Sequence, residues 1–364
     1  MTLELGVVNR LYPELQVGWS RRRVDGAPRS TERSTVNSAL HGQLKGGLGM
    51  RRLHLMGLSV LVMAGALWSA SPALATTSGH NGRIVFGAVT DDGSSQLFLI
   101  GPYGHGMHQI THVDGDAVHP DWAPNGRWIA FELDRSNGCD LVLIRPNGTH
   151  MRTLPHPPGR ECDEQPSFTP AGDRLLFSSY DPAIDDEAIW VERLDGTHQH
   201  RLGKGGANYA TDPNAAPDGT RITFVAFNGE DLGQGLMRTG IGGHHPKLLL
   251  PYSFDVAVKH DWAPNGRRIV FTNNADNFDF SANIGTIQPN GTHLRWLTHY
   301  TDPDVRAYVG GYSPDGRWIA FRLEDHGKYA LMRMHPDGTH RRVILPLSDF
   351  RPRFIDWGAA TSSR

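Results

Sequence analysis

The 364 residues include only two cysteines, so the chain can close one internal disulfide at most. Excess charge of either sign is also missing: 36 Lys and Arg against 38 Asp and Glu leave a formal net of −2. Residues 1–75 hold nine of the basic and four of the acidic side chains, and the remainder, with 27 basic and 34 acidic, carries −7. An acidic body lacks the basic footprint that a phosphate backbone requires, which argues against nucleic acid as a partner. The apolar stretch after Arg51-Arg52 runs for about 14 residues, short of the roughly 20 needed to cross a bilayer.

The remaining composition points to β structure, since 42 Gly and 24 Pro, with 38% hydrophobic residues, mean many tight turns around a sizeable core. Residues 50–75, "MRRLHLMGLSVLVMAGALWSASPALA", have the order of a secretory signal: a charged start, a short apolar region, then Ala73-Leu74-Ala75 as a small-residue cleavage site. Cleavage there predicts an exported protein, periplasmic or extracellular, that begins near Thr76 and keeps no membrane span. Residues 1–49 show no apolar periodicity, and the expectation is disorder or a mis-assigned translation start.

A repeat dominates the rest of the chain. "HPDWAPNGRWIAF" from His119 returns as "KHDWAPNGRRIVF" from Lys259, with relatives at Gln165, Asp212 and Val309. The phenylalanine that closes each alternating run falls at 86, 131, 177, 224, 271 and 321, so six units recur every 45–50 residues. Each continues with a second apolar run, a glycine turn such as Asn147-Gly148-Thr149-His150, and a short final strand. Period-2 alternation with Pro-Asn-Gly turns makes a four-stranded antiparallel meander. One such sheet cannot bury both its faces, and a period in the forties with four strands indicates a propeller. The first unit lacks its leading aromatic strand, and the chain ends in "RFIDWG", where Asp356-Trp357 matches Asp121-Trp122 and Asp261-Trp262. The expectation is therefore an all-β, six-bladed propeller over residues 81–358, closed by the C-terminal strand joining the N-terminal blade, with a tail at 359–364.

The unit aromatic-(Ser/Ala/Thr)-Pro-(Asp/Asn)-Gly-x-x-Ile-x-Phe, with an Asp-Gly-Thr turn after it, resembles the propeller repeat of TolB and of prolyl-oligopeptidase-type peptidases. The resemblance implies a scaffold and leaves activity open. Those peptidases carry a Gly-x-Ser-x-Gly nucleophile elbow, a string that does not occur here. Some propellers of this repeat type are polysaccharide lyases with metal-bound His and Gln, which keeps a channel-centred metal enzyme as the alternative through His119 and Gln165.

Trp122, Phe168, Trp262, Tyr312 and Trp357 recur in one slot and are expected to pack between blades, with Ala215 filling the slot in the fourth unit. The histidines after the glycine turns, His150, His198, His245, His293 and His340, read as exposed turn residues too far apart to share a metal. Cys139 lies in the link between the second and third strands of its blade and Cys162 in the link to the next. Both links emerge on one face, where a disulfide closing about two dozen residues contributes about 3 kcal/mol; two free buried thiols are the alternative. On that same face the links into the inner strands carry acids. Asp116, Glu164 and Asp304, with His119, Gln165, Asp212 and Lys259 three positions before the aromatic slots, form the expected binding surface at the channel mouth. No cofactor is required, although such a carboxylate rim can hold a hard cation such as calcium. The expected function is that of a monomeric, non-catalytic binding or scaffold propeller for a protein, peptide or glycan of the cell envelope. No tight cluster of His, Asp and Glu with a base is evident to support the enzyme alternative.

Overall fold

The computed structural model describes residues 80–156, 159–228, 233–274 and 279–361. The segments at 1–49 and 50–75, with the expected signal and cleavage site, lie outside the described residues. The described residues are almost all strand and turn, with one 3-10 turn at Tyr252–Phe254. Among them no helix is long and apolar enough to cross a membrane.

The second repeat unit shows why the sequence folds as it does. Ile129–Arg135 pairs antiparallel with Asp116–Trp122 on one side and Gly138–Ile144 on the other. The hairpin between the first two strands turns at Pro124-Asn125-Gly126. There Gly126 has φ 65°, which its missing side chain allows, and its N–H reaches the Ala123 carbonyl at 2.8 Å. Phe131 sits at the middle of the central strand with no exposed surface, as do Phe86, Phe177, Phe224, Phe271 and Phe321 in theirs.

The innermost strands are Asp116–Trp122, Cys162–Phe168, Tyr209–Ala215, Asp261–Trp262, Val305–Tyr312 and Arg353–Ala359. Each packs against the next and the last against the first, so the strands close a circle. Six hydrophobic clusters lie between neighbouring units, and each draws its residues from two of them. Every cluster holds one residue of the aromatic slot: Trp122, Phe168, Ala215, Trp262, Tyr312 or Trp357. The core is therefore distributed between sheets, as expected where a single sheet cannot cover its own faces.

The sheet count corrects the sequence reading. Six separate four-stranded sheets were expected; four sheets have four strands and a fifth has eight. The second and third units are fused by one parallel register pair, Cys139 opposite Cys162, between Gly138–Ile144 and Cys162–Phe168.

The chain ends meet within one sheet. Arg353–Ala359 pairs antiparallel with Asn81–Val89, placing Trp357 opposite Ile84 and Asp356 opposite Val85. The Trp357 indole donates to the Gly82 carbonyl at 3.3 Å, and the Ala360 N–H to the His80 carbonyl at 2.8 Å. Gly358 lies flat against Trp122, where an added Cβ would stand 2.3 Å from the indole ring. Only glycine lets the returning strand pass that close.

Candidate functional site at the channel mouth

The inner strands run from links on one face to Pro-x-Gly turns on the other. Near the turns they enclose a cavity of about 50 Å³ lined by residues of all six inner strands, with Asp121, Asp261 and Asp356 among them. These three aspartates occupy equivalent positions, one residue before the aromatic slot. Each reaches across to the next unit: Asp356 accepts the Trp122 N–H at 2.7 Å, Asp121 the Phe168 N–H at 2.8 Å, and Asp261 the Tyr312 N–H at 2.6 Å. A side-chain carboxylate thus joins neighbouring inner strands that share no ladder of their own.

The Asp356 carboxylate disfavours charge on the other two aspartates. Burial, and after it the Asp356 charge, raises Asp121 well above the usual carboxylate range. The same two causes push Asp261 up to about 7, against the pull of the Tyr312 N–H. Burial alone would lower the Lys259 ammonium, but Asp356, Asp121, Asp212 and Asp261 outweigh it and raise it. Lys259 is accordingly a counter-charge to these acids.

Towards the links lies a second polar layer. His119, Gln165, Asp212 and Phe354 all have left-handed backbones, with φ between 45° and 51°. Each of the four sits in a β-bulge of its inner strand. Lys259 and Val309, the equivalents in the fifth and sixth units, do not take positive φ. The bulges turn the side chains towards neighbouring units. His119 Nδ1 stands 2.8 Å from Glu132 Oε2, which also accepts the Gln165 N–H at 3.0 Å. The His119 ring lies on Phe354, with centroids 3.7 Å apart. Gln165 Oε1 in turn accepts from the Ser178 hydroxyl at 3.0 Å, the Asp212 N–H at 2.7 Å and the Thr211 hydroxyl. Asp212 Oδ2 is 2.9 Å from His260 Nδ1, whose Nε2 meets the Thr223 hydroxyl at 2.8 Å. The structure therefore engages His119, Gln165 and Asp212 in links between units, whereas Lys259 feels the charges of Asp356, Asp121, Asp212 and Asp261.

The other expected residues are spread along the rim. Asp116 accepts the Ser95 N–H at 2.5 Å from the preceding unit. Glu164 lies 3.8 Å from the Cys139 sulfur. Burial first, then Glu132 and Glu187, raises its carboxyl well above the usual range. Cys139 and Cys162 are in contact, with Cα atoms 4.5 Å apart. Asp304 is exposed on the link into the sixth unit. The turn histidines His150, His198, His245, His293 and His340 are all exposed on the opposite face with left-handed backbones. Sequence reasoning missed Glu132, Glu187 and His260. The first two lie on second and third strands, where the repeat directs attention to buried apolar positions. His260 was hidden one place before a conspicuous Asp-Trp pair.

No protein-family model matches the chain. Among curated proteins, 127 residues are 28% identical to an uncharacterised Agrobacterium fabrum protein, covering 33% of this chain and 43% of that one. A further match of 134 residues is 25% identical to a TolB homologue of Chlorobium chlorochromatii, covering 37% and 29%. The chain thus spans less than half the length of these curated relatives. Among solved structures it superposes on TolB of Acinetobacter baumannii with a TM-score of 0.64 at 17% identity, over 77% of this chain and 67% of that one. The fold is a TolB-like β-propeller. A TolB candidate from Agrobacterium tumefaciens gives a TM-score of 0.57 at 13% identity, covering 77% of this chain and 99% of its own. The nidogen/laminin complex gives 0.59 at 11%, covering 78% and 100%. At these identities the likeness of this TolB-like propeller to solved structures concerns architecture, and function must be argued from the site.

Proposed function

We propose that this chain is an exported, non-catalytic binding propeller. Its link face and channel mouth serve as a rigid surface for a protein, peptide or glycan partner of the cell envelope. The observation that carries this reading is the state of the mouth residues: His119 is held by Glu132, the Gln165 carbonyl accepts from three donors, and Asp212 holds His260. Polar groups fixed in this way make a rigid, pre-organised surface, which lowers the ordering cost of association. The three donors on Gln165 Oε1 weigh against the channel-enzyme reading, because a metal there would compete with them, whereas His119 Nε2, buried without a hydrogen-bond partner among the described residues, favours it.

Further features belong to this proposal. We read the eight-stranded sheet as two blades bridged at Cys139 and Cys162, which makes six blades, because six inter-unit cores and six inner strands complete the circle. We also propose that residues 50–75 direct export, that Cys139 and Cys162 form a disulfide in the exported protein, and that the chain is a monomer. Acids including Asp91, Asp114, Asp185, Asp255 and Asp349 ring the link face, which suits a partner with basic groups; calcium is the hard cation such a rim would accept.

The test is capture from envelope extract by the chain, compared with an Asp116→Ala/Asp304→Ala variant and with Asp218→Ala on the opposite face. The expected outcome is one defined partner retained by the chain and by Asp218→Ala but lost by the double variant. Equal capture by all three would contradict the proposal. Turnover of an acidic polysaccharide that disappears on His119→Ala would favour the enzyme instead.

A further inference from the structure

At the tip of the sixth unit, the rim residue Asp304 belongs to a second set of groups. Asp302 and Asp304 lie on the link into Val305–Tyr312, and His326 lies in the tight turn between Ile319–Asp325 and Lys328–Met334. All three are exposed. One imidazole nitrogen and one oxygen from each carboxylate lie within 4.8 Å of one another. The two segments are tied by the His326 N–H donating to the Asp304 carbonyl at 3.0 Å and by the register pair of Val305 with Asp325.

The imidazole has a defined orientation. Its Nδ1 is 2.7 Å from Asp325 Oδ1, and its Nε2 faces Asp302 Oδ2 at 3.6 Å. A histidine that gives one nitrogen to a carboxylate and turns the other towards a group of anionic oxygens has the arrangement of a metal-ligating histidine with its orienting partner. The cations nearby are engaged elsewhere: Lys328 pairs with Asp349 at 2.7 Å, and Arg322 and Arg351 pair with Glu324 at 3.8 and 3.7 Å. Asp302 and Asp325 form their ion pairs with His326 alone, and Asp304 has none among the described residues. Three carboxylates thus face one imidazole.

We propose that Asp302, Asp304 and His326 form a binding site for a first-row divalent cation of the zinc type, with His326 Nε2 and one carboxylate oxygen from each aspartate as ligands and Asp325 as the positioning residue. One nitrogen and two oxygens suit zinc, manganese or cobalt better than calcium, which takes six to eight oxygens. Ligand bonds of about 2.0–2.2 Å require the three atoms to draw closer than they now stand, and exposed side chains can make that adjustment. Three protein ligands leave a position for water or for a donor from a molecule docked on the link face. The site shares Asp304 with the proposed binding face, but metal uptake by the chain alone requires no macromolecular partner, so the two readings fail separately.

The experiment is titration of the full chain with Zn2+ by calorimetry, and with Co2+ by visible absorption, under oxidising conditions that keep Cys139 and Cys162 from competing. The variants are His326→Asn, chosen because asparagine tolerates the left-handed backbone at this position (φ 48°), Asp302→Asn/Asp304→Asn, Asp325→Asn, and His340→Asn on the opposite face. The expected result is one saturable site with ligand-field bands, lost in His326→Asn and in the double variant. Asp325→Asn should weaken it by about 10-fold or more, and His340→Asn should leave it unchanged. Unaltered melting of the variants would show that the fold is intact. Absence of a saturable site in the parent chain, equal binding by His326→Asn, loss of binding in His340→Asn, or tighter binding of Ca2+ than of Zn2+ would each overturn the proposal.

Discussion

Asp356 offers a perturbation in which two physical effects can be separated by one atom. Its carboxylate accepts the Trp122 N–H at 2.7 Å, bonding the last inner strand to the first complete unit. It is also the charge that most strongly disfavours ionisation of Asp121 and Asp261 after burial itself. Asp356→Ala removes both roles and leaves a backbone N–H without its acceptor beside an indole that is 8% exposed. An orphaned buried donor costs about 1–3 kcal/mol, partly offset here by relief of the repulsion. A net loss of about 2 kcal/mol corresponds to a fall of roughly 3 °C in Tm for a domain of this size. Asp356→Asn keeps an acceptor oxygen and removes only the charge, so at pH 8 it should melt within about 1 kcal/mol of the parent, or above it. Differential scanning calorimetry of the three proteins at pH 8 is sufficient. If Asp356→Asn is as unstable as Asp356→Ala, the hydrogen-bond account is wrong and the charge itself stabilises the ring; if both are neutral, the bridge contributes nothing.

Stability should also rise as the medium becomes mildly acidic. Burial lifts Asp134 to about 6 and Glu187, Glu192 and Asp261 to about 7. The folded state therefore keeps protons that the unfolded chain releases near pH 4, and stability declines as pH rises from about 4 through about 7. Asp92, Asp195 and Asp337, held low chiefly by threonine hydroxyls, act in the opposite sense only as pH falls below about 4. A higher Tm at pH 5 than at pH 8 is expected, and the reverse order would refute the assignment of those buried acids. For the cysteines, mass spectrometry of the exported protein without reductant should find no alkylatable thiol, and Cys162→Ser should lose about 3 kcal/mol in the chain-entropy picture. Two free thiols would remove that proposal.

The propeller architecture was legible because it is written locally and repeatedly: alternating runs, a Pro-x-Gly turn and a buried phenylalanine in each unit determine the strands one hairpin at a time. The sheet count was not, since the eight-stranded sheet depends on a single pair, Cys139 with Cys162, from two links whose turn residues, Asn137-Gly138 and Pro158-Gly159, do not say which other link lies beside them. The inner-strand aspartates show the same limit. Asp121, Asp261 and Asp356 stand out in the sequence as Asp-Trp pairs, yet their role is defined by an N–H in the next unit, 47 or more residues away. At the mouth, His119, Gln165 and Asp212 could be placed at equivalent positions, but not with Glu132, Ser178 and His260. Those partners belong to adjoining units or to strands whose polar positions the repeat does not mark. The left-handed residue of each bulge varies among histidine, glutamine, aspartate and phenylalanine, although Pro120, Pro166 and Pro213 follow it in three of the four.

The rim, the channel and the cores between units all depend on a circle that the C-terminal strand completes. The decisive measurement is the thermal unfolding of a chain lacking residues 353–364, monitored by near-ultraviolet circular dichroism. Removing that strand uncovers the edge of Asn81–Val89 and deletes Ile355 and Trp357 from the core between the sixth and first units. A broad, low-temperature transition or no folded signal is the predicted result; a sharp transition at the parent's temperature would contradict it.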